Sequence, residues 1–293
     1  MGYLYGRFTI PQVQLMVSYV ESEIPSMPIL HLLILAVIQG VTEFLPISSS
    51  GHLILMPNLS GIEDQGQLID VSVHIGTLGA VILYFWADSK KALVGLADLA
   101  TGRLKTPAAH LATLLILTTI PAVVFGLLLK VTGLSDQLRN ITVIAWTMLI
   151  FGIVLYIADQ RGTNAKTQSD WGAVDAIKLG LWQVISLIPG TSRSGITITG
   201  ARFLGYTRED GTKISMLMSI PVIIASGSLL GAEALASADS EGLWNGGLAA
   251  VFAFFAALLA LNLMMRLLRS VSFTPYVIYR LILGIILLGI AYS

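Results

Sequence analysis

Not one cysteine occurs in the 293 residues of this chain. Disulfides, thiolate nucleophiles and thiolate metal ligands are thereby excluded. Charge is scarce too: 12% of residues are Asp, Glu, Lys or Arg, against about 25% in soluble domains. A chain with half the usual charge cannot cover a water-facing surface, so lipid must be the solvent for most of it. What charge there is balances, 17 basic against 17 acidic residues, so no net field favours nucleic acid as a partner. Residues 1–28 lack an unbroken apolar run followed by a cleavage site, which argues against a signal peptide. With Pro11, Pro25 and Pro28, this stretch reads as an N-terminal interfacial extension, or as an over-long start with Met27 as the true first residue.

What is present is hydrophobic: 55% of the residues. Six segments are long and apolar enough to span a bilayer, at about 71–87, 108–130, 140–158, 214–235, 247–268 and 275–292. Two further apolar stretches are interrupted. Ile29 to Leu59 is broken by Pro46, Ser48, Ser49, Ser50, Gly51 and His52, and Val174 to Leu204 by Pro189, Gly190, Thr191, Ser192, Arg193, Ser194 and Gly195. Each reads as two half-length helices around a polar turn, which membrane depth tolerates only inside protein or beside a wet cavity. Phe44 to Ser50 lies over Leu187 to Arg193 at an offset of 143 residues, so one broken segment and three spans occur twice.

Basic residues favour cytoplasmic loops. They cluster at Lys90, Lys91, Arg103 and Lys105, at Arg161 and Lys166, at Arg202, Arg208 and Lys213, and at Arg266 and Arg269, whereas 236–246 has none. With those loops cytoplasmic, the spans alternate, the termini lie outside, and the two broken segments dip in from opposite faces. The expected fold is an all-α integral membrane protein with six transmembrane helices and two re-entrant helix pairs in an inverted-topology repeat. Residues 29–293 form a single membrane domain, with repeat one at about 29–158 and repeat two at about 173–293. Both tips should meet near the midplane, where secondary transporters place their sites.

The tips carry the chemistry. Gln39 and Glu43 are four apart on one helix face. Pro46 ends that helix, and the Ser48-Ser49-Ser50-Gly51-His52 turn can cap a new one whose N-terminus suits phosphate. In Pro189-Gly190-Thr191-Ser192-Arg193-Ser194-Gly195-Ile196-Thr197, glycines let backbone N–H groups approach an anion, and Arg193 offers a fixed, bidentate charge. Taken singly, each has a plainer reading: an Arg193–Glu43 structural ion pair, a core His52, capping serines, a hydrogen-bonding Gln39. Arg280 reads as snorkelling to the cytoplasmic surface rather than contacting phosphate, and His31, His74 and His110 read as structural. Together, a carboxylate, hydroxyls, an imidazole and an arginine in one membrane cavity are the parts of a phosphoryl-transfer site.

The stretch Gln39 to His52 resembles the first signature of the undecaprenyl-diphosphate phosphatase family, Glu or Gln, three residues, Glu, then a Ser-Ser-x-Gly-His turn. Pro189 to Thr197 resembles its second, Pro-Gly-x-Ser-Arg-Ser-x-x-Thr, and Ser272 to Arg280 also looks like that family. The resemblance runs from about residue 29 to the end. It implies hydrolysis of undecaprenyl diphosphate to undecaprenyl phosphate, recycling the carrier lipid for cell-wall polymers, and bacitracin resistance. It implies a divalent cation, Mg2+ or Ca2+, and a bacterial inner-membrane location. By matching position it assigns essential roles to Glu43, Ser49, His52 and Arg193, while Gln39 fills a position that is Glu in some members. The phosphate-contacting set is then Ser48, Ser50, Gly51, Gly190, Thr191, Ser192, Ser194 and Thr197, with Glu43 and Gln39 toward the metal. Ser49 is favoured as nucleophile with His52 as its base; His52 or water as nucleophile are the alternatives. The partners expected are a polyprenyl diphosphate lipid and the bilayer, and nothing in the sequence excludes a homodimer. A lipid flippase or transporter with a midplane anion site is the rival reading.

Overall fold

The computed structural model describes residues 29–53, 66–236 and 239–292, the side chains of 136, 229, 230 and 232–236 excepted. The N-terminal extension and Met27 lie outside them, as do residues 54–59 at the end of the first broken stretch. The described residues form helices: α1 (Ile29–Phe44), a short helical stretch at 49–53, α2 (Gly66–Tyr84), α3 (Trp86–Ala100), α4 (Pro107–Val131), α5 (Leu134–Leu138), α6 (Ile141–Arg161), α7 (Ala173–Ile185), α8 (Arg193–Phe203), α9 (Arg208–Ala236), α10 (Ser240–Leu267) and α11 (Thr274–Tyr292).

Five of these, α2, α4, α6, α10 and α11, are long and apolar enough to cross a membrane. The sixth expected span, 214–235, falls within the 29-residue α9, part of which lies beyond the described side chains. Ends are set by local chemistry. Thr106 caps α4 by accepting from Ala109 N at 2.9 Å with Pro107 following, and Asn140 caps α6 by accepting from Val143 N at 2.9 Å. The segment after the first span, expected as a charged loop, is instead the helix α3. It exposes Trp86, Leu93, Val94 and Leu96 and buries Gly95 against the Ala108 carbonyl of α4. Lys90 and Lys91 are thus exposed on a helix rather than in irregular chain.

Small residues bring the central helices together. A Cβ at Gly40 of α1 would lie 2.6 Å from the Ala253 carbonyl, and one at Gly76 of α2 would collide with that of Ala250. Both carbonyls belong to α10, whose inner face is Gly246, Ala249, Ala253, Ala257 and Ala260. Close backbone approach of this kind substitutes for a hydrophobic driving force in lipid, and it fixes where α1 delivers Gln39 and Glu43.

The basic segments gather at one end. Buried Asp159, at the end of α6, accepts from Arg208 at 2.7 and 3.1 Å and from Phe273 N at 3.2 Å, and pairs with Arg202 at 3.4 Å. Lys166 pairs with Asp175 at 2.7 Å, and Lys213 with Asp88 at 2.8 Å. Tyr206 donates to Asp175 at 2.8 Å; burial and that carboxylate raise its pKa, so it stays a donor. Asp175 near the start of α7 and Arg202 near the end of α8 are thus both at the basic end, and the chain turns back between them at 186–192. The helices on either side of that turn, of 13 and 11 residues, reach about 20 and 17 Å.

Candidate active site

Two turns face each other. The first, 45–48, follows α1 and precedes the helical stretch at 49; the second, 186–192, joins α7 to α8. Each ends on a serine in the left-handed region, Ser48 at φ 74° and Ser192 at φ 70°. Each then starts a helix, with Ser49 or Arg193 in the first position. Past the two prolines the backbone register is therefore 144, not 143: Ser48-Ser49-Ser50-Gly51 lies over Ser192-Arg193-Ser194-Gly195, and the second turn holds one extra residue between its proline and its serine.

The serines on either side of that position hold the turns together. Ser48 and Ser50 share a hydrogen bond at 3.0 Å, as do Ser192 and Ser194 at 3.1 Å. Gly190 N donates to Ser50 Oγ at 3.1 Å, and Ser194 Oγ donates to the Leu45 carbonyl at 3.0 Å. Ser192 caps α8 by accepting from Gly195 N at 3.1 Å. Gly190 has φ +84°, and a Cβ there would run into the Ile144 carbonyl and the Thr147 hydroxyl, so only glycine fits the turn. Gly51 packs beside Met148, whose Sδ would lie 2.8 Å from an added Cβ. Thr197 points away, bonded to the Arg193 carbonyl at 2.8 Å and to Ser215 Oγ at 2.6 Å. Thr191 Oγ1 is buried without a partner.

Glu43 is the meeting point. Its Oε1 accepts from Arg193 Nη2 at 2.9 Å, and both side chains are largely buried, 8% and 13% exposed. Its Oε2 accepts from Gln39 Nε2 at 2.8 Å and from Ser49 Oγ at 3.3 Å. One carboxylate thus gathers three of the residues singled out in the sequence, two of them on the first positions of helices whose N-termini favour anions. Arg193 Nη1 and Gln39 Oε1 remain buried without partners, so a donor and an acceptor are left over at the site. Such orphans in a native site call for a ligand or an ordered water.

His52 is placed differently. Its Nδ1 lies 2.7 Å from the Ser48 carbonyl and its Nε2 2.6 Å from Tyr279 Oη, with the two rings stacked 5.5 Å apart. A carbonyl only accepts, so Nδ1 carries the proton, and Nε2 of the neutral ring accepts from Tyr279. Ser49 donates to Glu43 rather than to His52. Two residues that the sequence does not single out also belong here. Tyr279 is one. His74, which reads as structural in sequence, is the other: its Nε2 lies 3.1 Å from Gln39 Nε2 and 3.7 Å from Glu43 Oε2, and its Nδ1 donates to the Asp70 carbonyl at 2.6 Å. An ionisable residue within a span is itself a functional signal. Arg280 does not snorkel: it is wholly buried. A cavity of about 340 Å³ at the basic end, lined by Asn164, Thr207, Arg208, Glu209, Asp210 and Leu268, takes in no residue of either turn.

A model of the bacitracin resistance protein BacA family matches residues 32–286. The chain belongs to that family. The BacA match contains both turns and Arg280. Among curated relatives, the undecaprenyl-diphosphatase of Ruegeria pomeroyi is 65% identical over 267 residues, 91% of this chain and 100% of its own length. That of Jannaschia sp. is also 65% identical over the same shares. The undecaprenyl-diphosphatase of Teredinibacter turnerae is 43% identical over 261 residues, 89% of this chain and 98% of its own.

Proposed function

We propose that this BacA-family membrane protein hydrolyses undecaprenyl diphosphate to undecaprenyl phosphate and inorganic phosphate. In doing so it recycles the carrier lipid for cell-wall synthesis and confers bacitracin resistance. The observation that carries the reading is the Glu43 carboxylate held between Arg193 and Ser49, with Arg193 Nη1 left over for a phosphate oxygen.

The lipid tail remains in the bilayer while the diphosphate enters between the turns. Arg193 and the first-turn N–H groups of α8 that Ser192 does not cap hold phosphate oxygens. Ser49 Oγ attacks the terminal phosphorus; the P–O bond to the leaving undecaprenyl phosphate breaks, and the hydroxyl proton passes to the acceptor in contact, Glu43. Water then attacks the seryl phosphorus, the Ser49 Oγ–P bond breaks, and the proton held on Glu43 returns to Oγ as inorganic phosphate leaves. His52, in the same short helical stretch as Ser49, serves as proton donor to the leaving group once protonated, and Tyr279 orients it. Ser48, Ser50 and Gly51 on one side, and Gly190, Thr191, Ser192 and Ser194 on the other, shape the cradle, while Thr197 supports it from behind.

Among the described residues no three His, Asp or Glu side chains group as a metal site. Glu43 with the orphaned Gln39 Oε1 still fits a hard cation of the Mg2+ or Ca2+ kind, which is often held by one or two protein oxygens plus substrate phosphates. These two residues would hold it, and when bound it would neutralise charge on the phosphate oxygens.

The same reading takes the chain as six spans and two re-entrant pairs in an inverted repeat in the bacterial inner membrane, with termini outside. Reciprocal packing supports it: α1 packs on α10 as α7 packs on α4, while α2 meets α9 and α6 meets α11. The experiment is a phosphate-release assay of the purified chain in detergent on C55 and shorter prenyl diphosphates, with and without chelator. Detergent has no two sides, so release there separates hydrolysis from transport, and an intact diphosphate refutes the proposal.

A further inference from the structure

Arg280 lies in α11 and is wholly buried, at 0% exposure. Every hydrogen bond of its guanidinium goes to a backbone carbonyl. Nε donates to Met148 O at 3.2 Å, Nη1 to Pro46 O at 3.5 Å, and Nη2 to Thr147, Gly190 and Thr191 O at 3.4, 3.2 and 2.9 Å. Those carbonyls come from three places: Pro46 in the first turn, Gly190 and Thr191 in the second, Thr147 and Met148 in α6. Pro46 is three residues before Ser49, and Thr191 is two before Arg193. Two glycines make the slot. A Cβ at Gly195 would lie 2.9 Å from Nη1, and one at Gly152 3.4 Å from Arg280 Cβ and 3.6 Å from Nε.

The charge is as informative as the geometry. The other buried arginine described, Arg202, has Asp159 as carboxylate partner, and the partly buried Arg193 has Glu43. Among the described residues no carboxylate pairs with Arg280. Carbonyl dipoles make its burial tolerable but do not cancel the charge. Since Glu43 and Arg193 neutralise one another, Arg280 leaves the two turns with one net positive charge in a low-dielectric setting. Preorganised charge stabilises a transferring phosphoryl group best in such a setting.

We propose that Arg280 is the positioning residue of this site: its guanidinium bolts the two turns in register, setting Ser49 against Arg193, and biases the site toward an anionic diphosphate without touching it. The proposal rests on the phosphatase reading above. Planarity and the spread of donors do the bolting, so a lysine, with a point charge and three donors, cannot reproduce it. A displacement of about 1 Å between reacting groups can cost about 100-fold in rate. A residue acting this way lowers kcat while leaving KM close to its starting value.

The test is phosphate release by the purified full chain from a C55 diphosphate, together with thermal melting in detergent. Wild-type turnover is the first measurement; its absence refutes the phosphatase reading, and this inference with it. With wild-type active, Arg280→Lys is expected to melt as a folded protein and to lose about 100-fold in kcat, with KM changed less than about threefold. Arg280→Ala is expected to recover about tenfold on addition of methylguanidinium, which fits the vacated slot. Gly152→Leu, which crowds the slot from α6 and keeps the charge, is expected to lower kcat about tenfold. Wild-type kcat in a folded Arg280→Lys, or failure of all three variants to fold, would overturn the positioning role and leave the phosphatase reading standing.

Discussion

The turn at 45–48 and the turn at 186–192 share one backbone device and differ in the residue it presents. Both end on a left-handed serine, φ 74° and 70°. Both pair that serine with another two residues on, and both follow it with a glycine. Where one sets Ser49 on the first helical position, the other sets Arg193, and both reach Glu43. A helix N-terminus is a fixed anion-binding platform. On the proposed mechanism, duplicating it and changing one side chain yields an attacking hydroxyl on one copy and a phosphate clamp on the other.

That contrast breaks most sharply at Ser49. If it is the nucleophile, Ser49→Ala removes about 10⁴-fold or more of kcat while the protein melts normally, because the hydroxyl contributes one long bond to Glu43. Rapid quenching of wild-type turnover should yield a phosphoserine at position 49, found by mass spectrometry of the digest. A phosphohistidine at His52, or full turnover by Ser49→Ala, would reverse the roles drawn here. Arg193→Ala comes next, with a loss of about 10³-fold in kcat/KM. It should differ from Ser49→Ala in also destabilising the protein by about 3–5 kcal/mol, since Glu43 is left charged and buried without its partner. Equal melting temperatures for the two variants would contradict the ion pair.

Part of this is legible in the sequence. The two breaks stand out as Pro, Ser and Gly inside apolar runs, because backbone without helical hydrogen bonds survives at membrane depth only inside protein or beside water. Gln39 and Glu43 share a face by helical periodicity alone. Tertiary partners are not legible. His74 meets Glu43 from a helix packed alongside α1. Arg280 faces inward because carbonyls of both turns and α6 await it, and a charged residue six places into a span looks the same whether it snorkels or turns in. Prolines align the repeats at 143, yet backbone conformation aligns the helix starts at 144. The second turn's additional residue is seen only in φ angles. The α3 lysines read as loop because charge suggests solvent, although lysine is a good helix former and an exposed helix meets solvent equally well.

The glycines of the two turns should separate by what lies behind them. An alanine at 190 meets the Ile144 backbone at a positive φ, whereas one at 51 meets the flexible thioether of Met148. Gly190→Ala is therefore expected to lower kcat by about 10–100-fold by shifting the turn, and Gly51→Ala by only a few-fold. Comparable losses would mean that both turns are equally rigid.

The smallest effects concern the left-handed serines. Ser192 offsets the strain of its conformation by capping Gly195 N at 3.1 Å. Glycine there relieves strain of about 1 kcal/mol or more and loses a few tenths for the cap, so Ser192→Gly should melt slightly above wild type. Ser192→Ala keeps the strain and loses the cap, and should be less stable by about 1 kcal/mol. Ser48 has a similar φ, but its hydroxyl is engaged with Ser50 rather than with the start of its helix. Ser48→Gly should then gain more stability than Ser192→Gly. If the two glycine variants melt alike, the serines are equivalent backbone fittings, and the difference between the turns resides wholly in the residue that follows each.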